Sequence, residues 1–313
     1  MEKVKIRKIY CFIALGAFLW LLPSVGLGQC NVSIGATTYP SINAAVSAAV
    51  LGDTINVSGT CSETVYILVN KNWIYLNGGG TATIQGMVVI TGRQIFITRF
   101  NITGGTDGIQ VAQGGTATIN GNTIYNTGRF GIAVVQESFA TIVNNTIHDT
   151  GVNPNLRVRG GIHVGDSSSA TIGFSAPTDT VASPNIIRNN PNGIILSRSA
   201  SARIVGNTIS NNTDNGIMVT GTCQGEIADN FIDGNGQDGI FVSQGSGVNL
   251  GFIANPIFDL PNSGTNGNKG LSCSIGGYVD GLLGTLDGLH GALGISKGCI
   301  NSVISHHDHG FSR

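Results

Sequence analysis

Asn207-Thr208-Ile209-Ser210-Asn211-Asn212-Thr213-Asp214-Asn215-Gly216-Ile217-Met218-Val219-Thr220 is followed, 23 residues on, by Asn230-Phe231-Ile232-Asp233-Gly234-Asn235-Gly236-Gln237-Asp238-Gly239-Ile240-Phe241-Val242-Ser243. Asn, Ile and the Gly-Ile pair fall at the same offsets in both stretches. The pair recurs at Gly108-Ile109, Gly131-Ile132, Gly161-Ile162 and Gly193-Ile194, so the Ile-to-Ile steps along the chain are 23, 30, 32, 23 and 23. Ile119, Ile142, Ile172, Ile204, Ile227 and Leu250 keep that register, and Ile124, Ile147, Ile187, Ile209 and Ile232 form a third apolar column. Insertions around Gly151–Gly160 and Gly173–Ser183 account for the long steps.

Three short apolar segments per roughly 23 residues, each alternating with period two and separated by Gly/Asn turns, are strands rather than helices. One such unit cannot bury its own apolar face. Stacking units in parallel, about 4.8 Å apart, closes a continuous core. The crossover rule makes the winding right-handed. The expected fold is therefore all-β: a single-stranded right-handed parallel β-helix, or solenoid. Asn122, Asn145, Asn185, Asn207 and Asn230 each precede a third-column Ile by two residues. Their side chains are expected to stack as a ladder that satisfies turn backbone groups.

Upstream, Ile42, Ala45, Val46 and Ala49 follow helical spacing after Ser41, a candidate N-cap, with Gly52 as the stop. This short N-terminal helix is expected to cap the open end of the first coil, whose edge would otherwise invite aggregation. Further upstream, a basic start (Lys3, Lys5, Arg7, Lys8), an apolar run Ile9–Leu22 and small residues Gly26 and Gly28 have the layout of a secretory signal peptide. The expected organisation is signal peptide 1–28, β-helix with cap 29–252, and an irregular C-terminal cap or fold-back segment 253–313. The destination is secreted, periplasmic or cell-surface, with no integral membrane association after cleavage.

Net charge is -1 and only 11% of residues are charged, which argues against nucleic acid as a partner and against charge-driven disorder. With 47 Gly and abundant Asn, Thr and Ser, solubility rests on neutral polar side chains. There is no CxxC pair for a thiolate zinc site. Export permits disulfides, and Cys30–Cys61 and Cys273–Cys299 are the expected pairs, one near each end. Cys223 is left over, and Cys11 falls in the signal.

The stretch Ser41-Ile42-Asn43-Ala44-Ala45-Val46, with Ala48-Ala49, Gly52-Asp53-Thr54-Ile55 and Glu63-Thr64-Val65, resembles the opening of the pectin-lyase-like superfamily. With the Gly-Ile repeats the resemblance runs from about Thr37 to Phe252. It implies the fold; it does not imply one activity, because a fold hosts many. Related enzymes include polysaccharide lyases, glycoside hydrolases, pectin esterases and uronate epimerases. Calcium-dependent lyases cluster carboxylates around a hard cation. The positions before the first-column Gly are instead Asp107, Phe130, Gly160, Asn192, Asn215 and Asp238, so Ca²⁺ finds no support and no cofactor is identified. Asn212-Thr213-Asp214 resembles one polygalacturonase motif, but its partner motifs are missing, and Asp214 reads as a turn residue. A further β-helix group works in periplasmic copper delivery. Beyond the leader this chain holds only Met87 and Met218, which gives a soft copper site little support.

The richest polar neighbourhood surrounds the first insertion: Arg129, His148, Asp149, Arg157, Arg159, His163 and Asp166. His163 is the outward residue of its strand, and His148 points out one turn before the insertion. An Arg would neutralise a uronate carboxylate and a His would move a proton near neutral pH. Ile195, Met218 and Phe241 form an outward apolar stripe on successive rungs, suited to stacking sugar rings or a partner unless the C-terminal segment covers it. His306-His307-Asp308-His309 reads as a solvated tail rather than a metal site. The favoured function is an exported protein that engages extracellular or cell-envelope polysaccharide without a necessary catalytic step. The alternatives are a uronate polysaccharide lyase or C5-epimerase, and a structural or adhesive surface protein.

Overall fold

A computed structural model describes residues 28–174, 181–251 and 261–305. The signal segment and the His306–His309 tail lie outside the described residues. The chain winds as a right-handed parallel β-helix with three faces. The first face runs Val65–Ile67, Val88–Ile90, Asp107–Val111, Phe130–Val134, Gly160–Val164, Asn192–Leu196, Ile217–Val219, Ile240–Val242, Leu271–Cys273 and Leu293–Ile295, every neighbour parallel and in register. The second face stacks Thr54–Ser58, Tyr75–Asn77, Ile95–Thr98, Thr116–Asn120, Phe139–Val143, Ser169–Ile172, Ser201–Val205, Gln224–Ala228 and Gly247–Leu250. The third carries the short strands from Thr60–Cys61 and Thr83–Gln85 through Thr123–Tyr125, Thr146–His148 and Ile186–Arg188 to Phe231–Asp233.

All three apolar columns point inward. Ile132, Ile162, Ile194 and Ile217 are neighbours in register and fully buried, as are Ile119, Ile142 and Ile172 on the second face and Ile124, Ile147 and Ile187 on the third. The Gly of each Gly-Ile pair has a steric cause. A Cβ on Gly131 would lie 2.4 Å from Ile147 Cγ2 and 2.8 Å from the Gly161 carbonyl, and Gly108, Gly161, Gly193 and Gly216 meet the corresponding third-column Ile at 2.5–2.6 Å. The third column packs so close to the first strand that no side chain fits.

The expected Asn ladder is present and extends beyond the five positions read from the sequence. In each rung the Asn Oδ1 accepts the backbone N–H of the preceding ladder position, from Phe100–Asn122 through Asn230–Asn262. The residue before the ladder position sits in the left-handed region at Arg99, Asn144 and Asp229, which turns the chain between the second and third faces. A second ladder, not anticipated from the sequence, occupies the next corner: Thr150, Asn190, Asn212, Asn235 and Asn266. Cys223 belongs to a third, mixed column. Its Sγ accepts the Ala200 N–H at 3.3 Å while Ser246 Oγ accepts the Cys223 N–H at 3.1 Å, so the thiol takes the place of a serine hydroxyl.

The helix α1, Ile42–Ala48, caps the first coil, with Ser41 accepting from the Ala44 N–H as its N-cap. Cys30–Cys61 is bonded at this end and Cys273–Cys299 at the other, with Cα separations of 4.8 and 5.9 Å. Residues expected to leave the repeat instead extend it. Ser263–Asn266, Leu271–Cys273, Tyr278–Gly288, Leu293–Ile295 and Ile300–Ser305 all pair in parallel with the coil before them. The Gly-Ile signature is lost there because Leu271 and Leu286 replace Ile in the core, so the dipeptide no longer marks the rung.

Candidate functional site

The expected cluster around the first insertion does not assemble into one site. His163 does lie on the outside of the first face, yet it is only 3% exposed. Its ring stacks on Phe130 at a centroid distance of 4.5 Å, and its Nε2 is 2.8 Å from Ser197 Oγ, while Nδ1 is buried without a partner. Burial, reinforced by the positive charges of Arg198 and Arg129, lowers the imidazole pKa to about 4, so the ring is neutral at physiological pH. Outward direction on a strand was legible in the alternation. The lid was not. Phe130 has the parity of inward-facing Ile132, yet its ring packs with the outer column.

Arg129 is committed elsewhere. It makes a two-pronged pair with Asp107, Nε to Oδ1 at 3.0 Å and Nη2 to Oδ2 at 2.6 Å, and its guanidinium lies 4.8 Å over the Phe130 ring. The hydrogen bond to Asp107 raises its pKa. Arg159 donates to the Gly151 carbonyl at 2.7 Å and braces the insertion; Arg157 is exposed on it. The insertion itself hugs the stack, because Val152 and Asn153 donate to the carbonyls of Thr127 and Gly128. His148 sits on the third face, paired with Asp149 at 2.6 Å and stacked on Tyr125 at 5.5 Å. His148 and His163 therefore look out from different faces. Asp166 pairs with Arg198 at 2.6 Å.

The expected apolar stripe is only partly open. Ile195 is fully buried, in a small cluster with Phe130, Ala133 and Met218 that contains no residue of the C-terminal segment. Met218 and Phe241 are half-buried. The roof over Ile195 is again Phe130, whose ring lies against the outer column instead of pointing to solvent.

The second face offers a better-formed surface, one not anticipated from the sequence. Tyr75 and Phe96 occupy paired outward positions on consecutive rungs and stack at 4.3 Å with their planes 10° apart. Trp73 joins them at 6.3 Å from Phe96. Beside this platform runs an open groove of about 500 Å³ lined by Tyr75, Asn77, Thr98, Arg99, Asn120 and Asn144, together with Thr54 and Gly121. Its amides are held in place: Asn77 Nδ2 donates to Asn56 Oδ1 at 3.1 Å and Asn144 Nδ2 to Asn120 Oδ1 at 3.0 Å. Arg99 is exposed at the groove, on the left-handed turn that precedes the ladder. The outward column continues along the same face as Thr118, Thr141, Thr171, Arg203, Glu226 and Asn249, and a second groove of about 520 Å³ opens over Ser169, Thr171, Ser201, Gln224 and Asn249. The sequence signal was Trp73-Ile74-Tyr75-Leu76-Asn77, aromatic and amide alternating with buried Ile74 and Leu76. These early coils lack the Gly-Ile dipeptide that marks the register, so the sequence alone does not align Tyr75 with Phe96.

Among the described residues, the only three His, Cys, Asp or Glu side chains near enough to share an ion are Cys30, Cys61 and Glu63. The two sulfurs are bonded to each other, and the Glu63 carboxylate accepts the N–H groups of Ile42 and Asn43 at the start of α1.

A family model described as periplasmic copper-binding protein (NosD) matches residues 46–259. No curated protein matches the chain. Solved structures similar to it include a variant of the periplasmic alginate epimerase AlgG, at 14% identity and a TM-score of 0.48, covering 80% of this chain and 77% of that one. An alginate lyase from Paenibacillus sp. str. FPU-7 is 15% identical over 83% of this chain and 96% of its own, with a TM-score of 0.44. The A-module of the Azotobacter vinelandii mannuronan C-5 epimerase AlgE4 is 13% identical over 84% and 93%, also with a TM-score of 0.44.

Proposed function

The chain belongs to the periplasmic copper-binding protein (NosD) family, and we propose that in that extracytoplasmic setting it binds polysaccharide along the second face of its β-helix, with no catalytic role for His163. The observation that carries this reading is the stacked Tyr75–Phe96 pair beside a groove of pre-aligned amides. A pyranose ring has apolar C–H faces and a polar rim. An aromatic platform takes the faces and fixed amides take the hydroxyls, so little side-chain entropy remains to be lost on binding. The groove is open along the face, which suits a chain rather than a small enclosed ligand. Arg99 adds a positive charge that favours a glycan carrying carboxylates.

A uronate lyase or epimerase needs a proton-transfer group within reach of the sugar. His163, sealed under Phe130, is a poor candidate, and Arg129 has its charge matched by Asp107. Copper prefers thiolate, thioether and imidazole donors brought together. Among the described residues the only three His, Cys, Asp or Glu side chains near enough to share an ion are Cys30, Cys61 and Glu63; Cys223 is packed in its turn column, His163 against Ser197, His148 against Asp149, and Met218 in the Phe130 cluster. The residues described do not fit copper, and no step is assigned to it.

The test is affinity electrophoresis of the exported protein in gels containing soluble acidic and neutral glycans. Retardation by at least one glycan is expected, and Tyr75→Ala should weaken it about five- to tenfold, the loss of one aromatic contact. Equal mobility in every gel, or a Tyr75→Ala variant retarded like the parent, would overturn the reading.

A further inference from the structure

We propose that one linear acidic glycan crosses the second face diagonally, so that its two grooves are the halves of a single extended site. The inference rests on the glycan reading of that face and adds the path, the length and the class of the ligand. Side chains on the outside of the face stand in three columns. The middle one runs Tyr75, Phe96, Thr118, Thr141, Thr171 and Arg203, each the registered partner of the next. The column at the edge next to the third face begins Asn56, Asn77, Thr98 and Asn120. The column at the edge next to the first face carries Phe139, Ser169, Ser201 and Gln224. The amide groove lies between the middle column and the third-face edge, from Tyr75 and Asn77 to Asn144. The second groove lies between the middle column and the first-face edge, with Phe139, Ser201 and Gln224 opposite Thr171, Arg203 and Asn249.

Neither groove continues straight along the rod. Trp73 stands at the first-face edge of the early coils, 6.3 Å from the Phe96 ring, and walls that edge where the amide groove begins. At the third-face edge the polar column gives way to Val143, Val205 and Ala228, all buried. Phe174, from the second insertion, packs on Val205 and Ala228, and the Asn144 N–H donates to the Ser183 carbonyl at 3.1 Å. The insertion therefore lies across the edge that the amide groove would otherwise follow. Between these two walls the middle column falls to Thr118, Thr141 and Thr171, flanked by the large side chains of Phe96 and Arg203. That low saddle lets a chain pass from one groove into the other.

Shape and lining select the occupant. The strands from Thr54–Ser58 to Gly247–Leu250 span about 38 Å at one inter-strand spacing per coil, the reach of a chain of several sugars. Amides line the first groove and hydroxyls and amides the second, which matches a ligand rich in hydroxyl groups along its whole length. Arg99 at the amide groove has a charge to offer a carboxylate. Arg203 in the second groove faces Glu226 at 3.6 Å, so charge is nearly balanced there. A branch at the saddle would collide with Phe96 or Arg203, which favours an unbranched chain. Once a ligand is long enough to reach both grooves, the second contact becomes intramolecular and affinity rises steeply with length.

The experiment is isothermal titration calorimetry of the exported protein with oligosaccharides of polygalacturonate, polymannuronate and hyaluronate, each fractionated to about three and about ten units. For at least one of these glycans the long fraction is expected to bind one per protein, about a hundredfold more tightly than the short one. Phe139→Ala with Gln224→Ala, both exposed and both in the second groove, should remove most of that gain. The affinity of the double variant for the short fraction should stay as in the parent, which also shows that it is folded. Tyr75→Ala should weaken both fractions. A length gain under about tenfold, which a choice of registers on one groove explains, would overturn the diagonal path. So would two long chains per protein, or a double variant that holds the long fraction like the parent; each of these leaves the amide groove standing as a glycan site. No binding of any fraction would also overturn the path, and together with equal mobility in every glycan gel it would overturn the reading beneath it.

Discussion

The side chain of Asn207 donates from Nδ2 to Asn230 Oδ1 at 3.1 Å, and that same Oδ1 accepts the Asn207 backbone N–H at 3.0 Å. One oxygen thus satisfies two donors of the rung before it. Asn207 Nδ2 also meets the carbonyls of Ile172 and Val205, so this buried amide joins three consecutive coils. A buried amide in this position has no apolar substitute.

Asn207→Leu should therefore cost roughly 3 kcal/mol or more, since it removes the acceptor of the Asn185 N–H, one of the two bonds of Asn185 Nδ2 and the side-chain donor to the Ile172 carbonyl. Asn120→Leu, on the solvent side of the same corner, should cost well under about 1 kcal/mol. Urea unfolding of the two variants at one temperature checks the contrast. Equal midpoints would mean that the ladder contributes nothing.

Gly131→Ala should destabilise by about 1–3 kcal/mol through overpacking, because the new methyl would fall 2.4 Å from Ile147 Cγ2 and the Gly161 carbonyl blocks its retreat. In an Ile147→Ala background, where that γ-carbon is gone, the same substitution should cost less if the side-chain contact dominates. Thermal midpoints of the two single variants and the double variant decide this, and additive losses would place the strain in the backbone instead.

His163 gives the protein a pH-dependent stability. Its folded pKa of about 4 lies below the ordinary value of 6.5, so between those values the unfolded chain binds more protons than the folded one. Stability is present in full above the unfolded pKa and is lost as pH falls toward the folded one, on the order of 3 kcal/mol between about pH 7 and pH 4. His163→Gln should flatten that slope while leaving glycan retardation unchanged. Denaturation midpoints at about pH 4.5 and pH 7 measure it, and an equal slope in parent and variant would assign the dependence to the carboxylates.

The parts of the structure that were legible in the sequence share one property: the same residue type recurs at every rung. Gly131, Gly161 and Gly193 repeat because the clash with the third column repeats, and Asn145, Asn185 and Asn207 repeat because the orphan N–H does. The second ladder was hidden because its upstream rung uses Thr150 where later rungs use Asn190 and Asn212, two chemistries at one corner. The candidate site was less legible for a different reason. Alternation gives the side of the sheet on which His163 and Ile195 lie, but whether that side is wet depends on Phe130, whose ring departs from the direction its parity implies. Tyr75 and Phe96 could be aligned only once the early coils were in register.

Because each rung supplies the acceptor that the preceding rung needs, coils of equal length are interchangeable parts. Excising residues 208–230 would place Asn207 directly before Phe231, in the chain position of Asn230, with both amide columns still aligned. The rod would shorten by one inter-strand spacing, about 4.8 Å, without a change in its cross-section. Gain or loss of such a segment therefore sets the span of the second face, independently of the chemistry at either end.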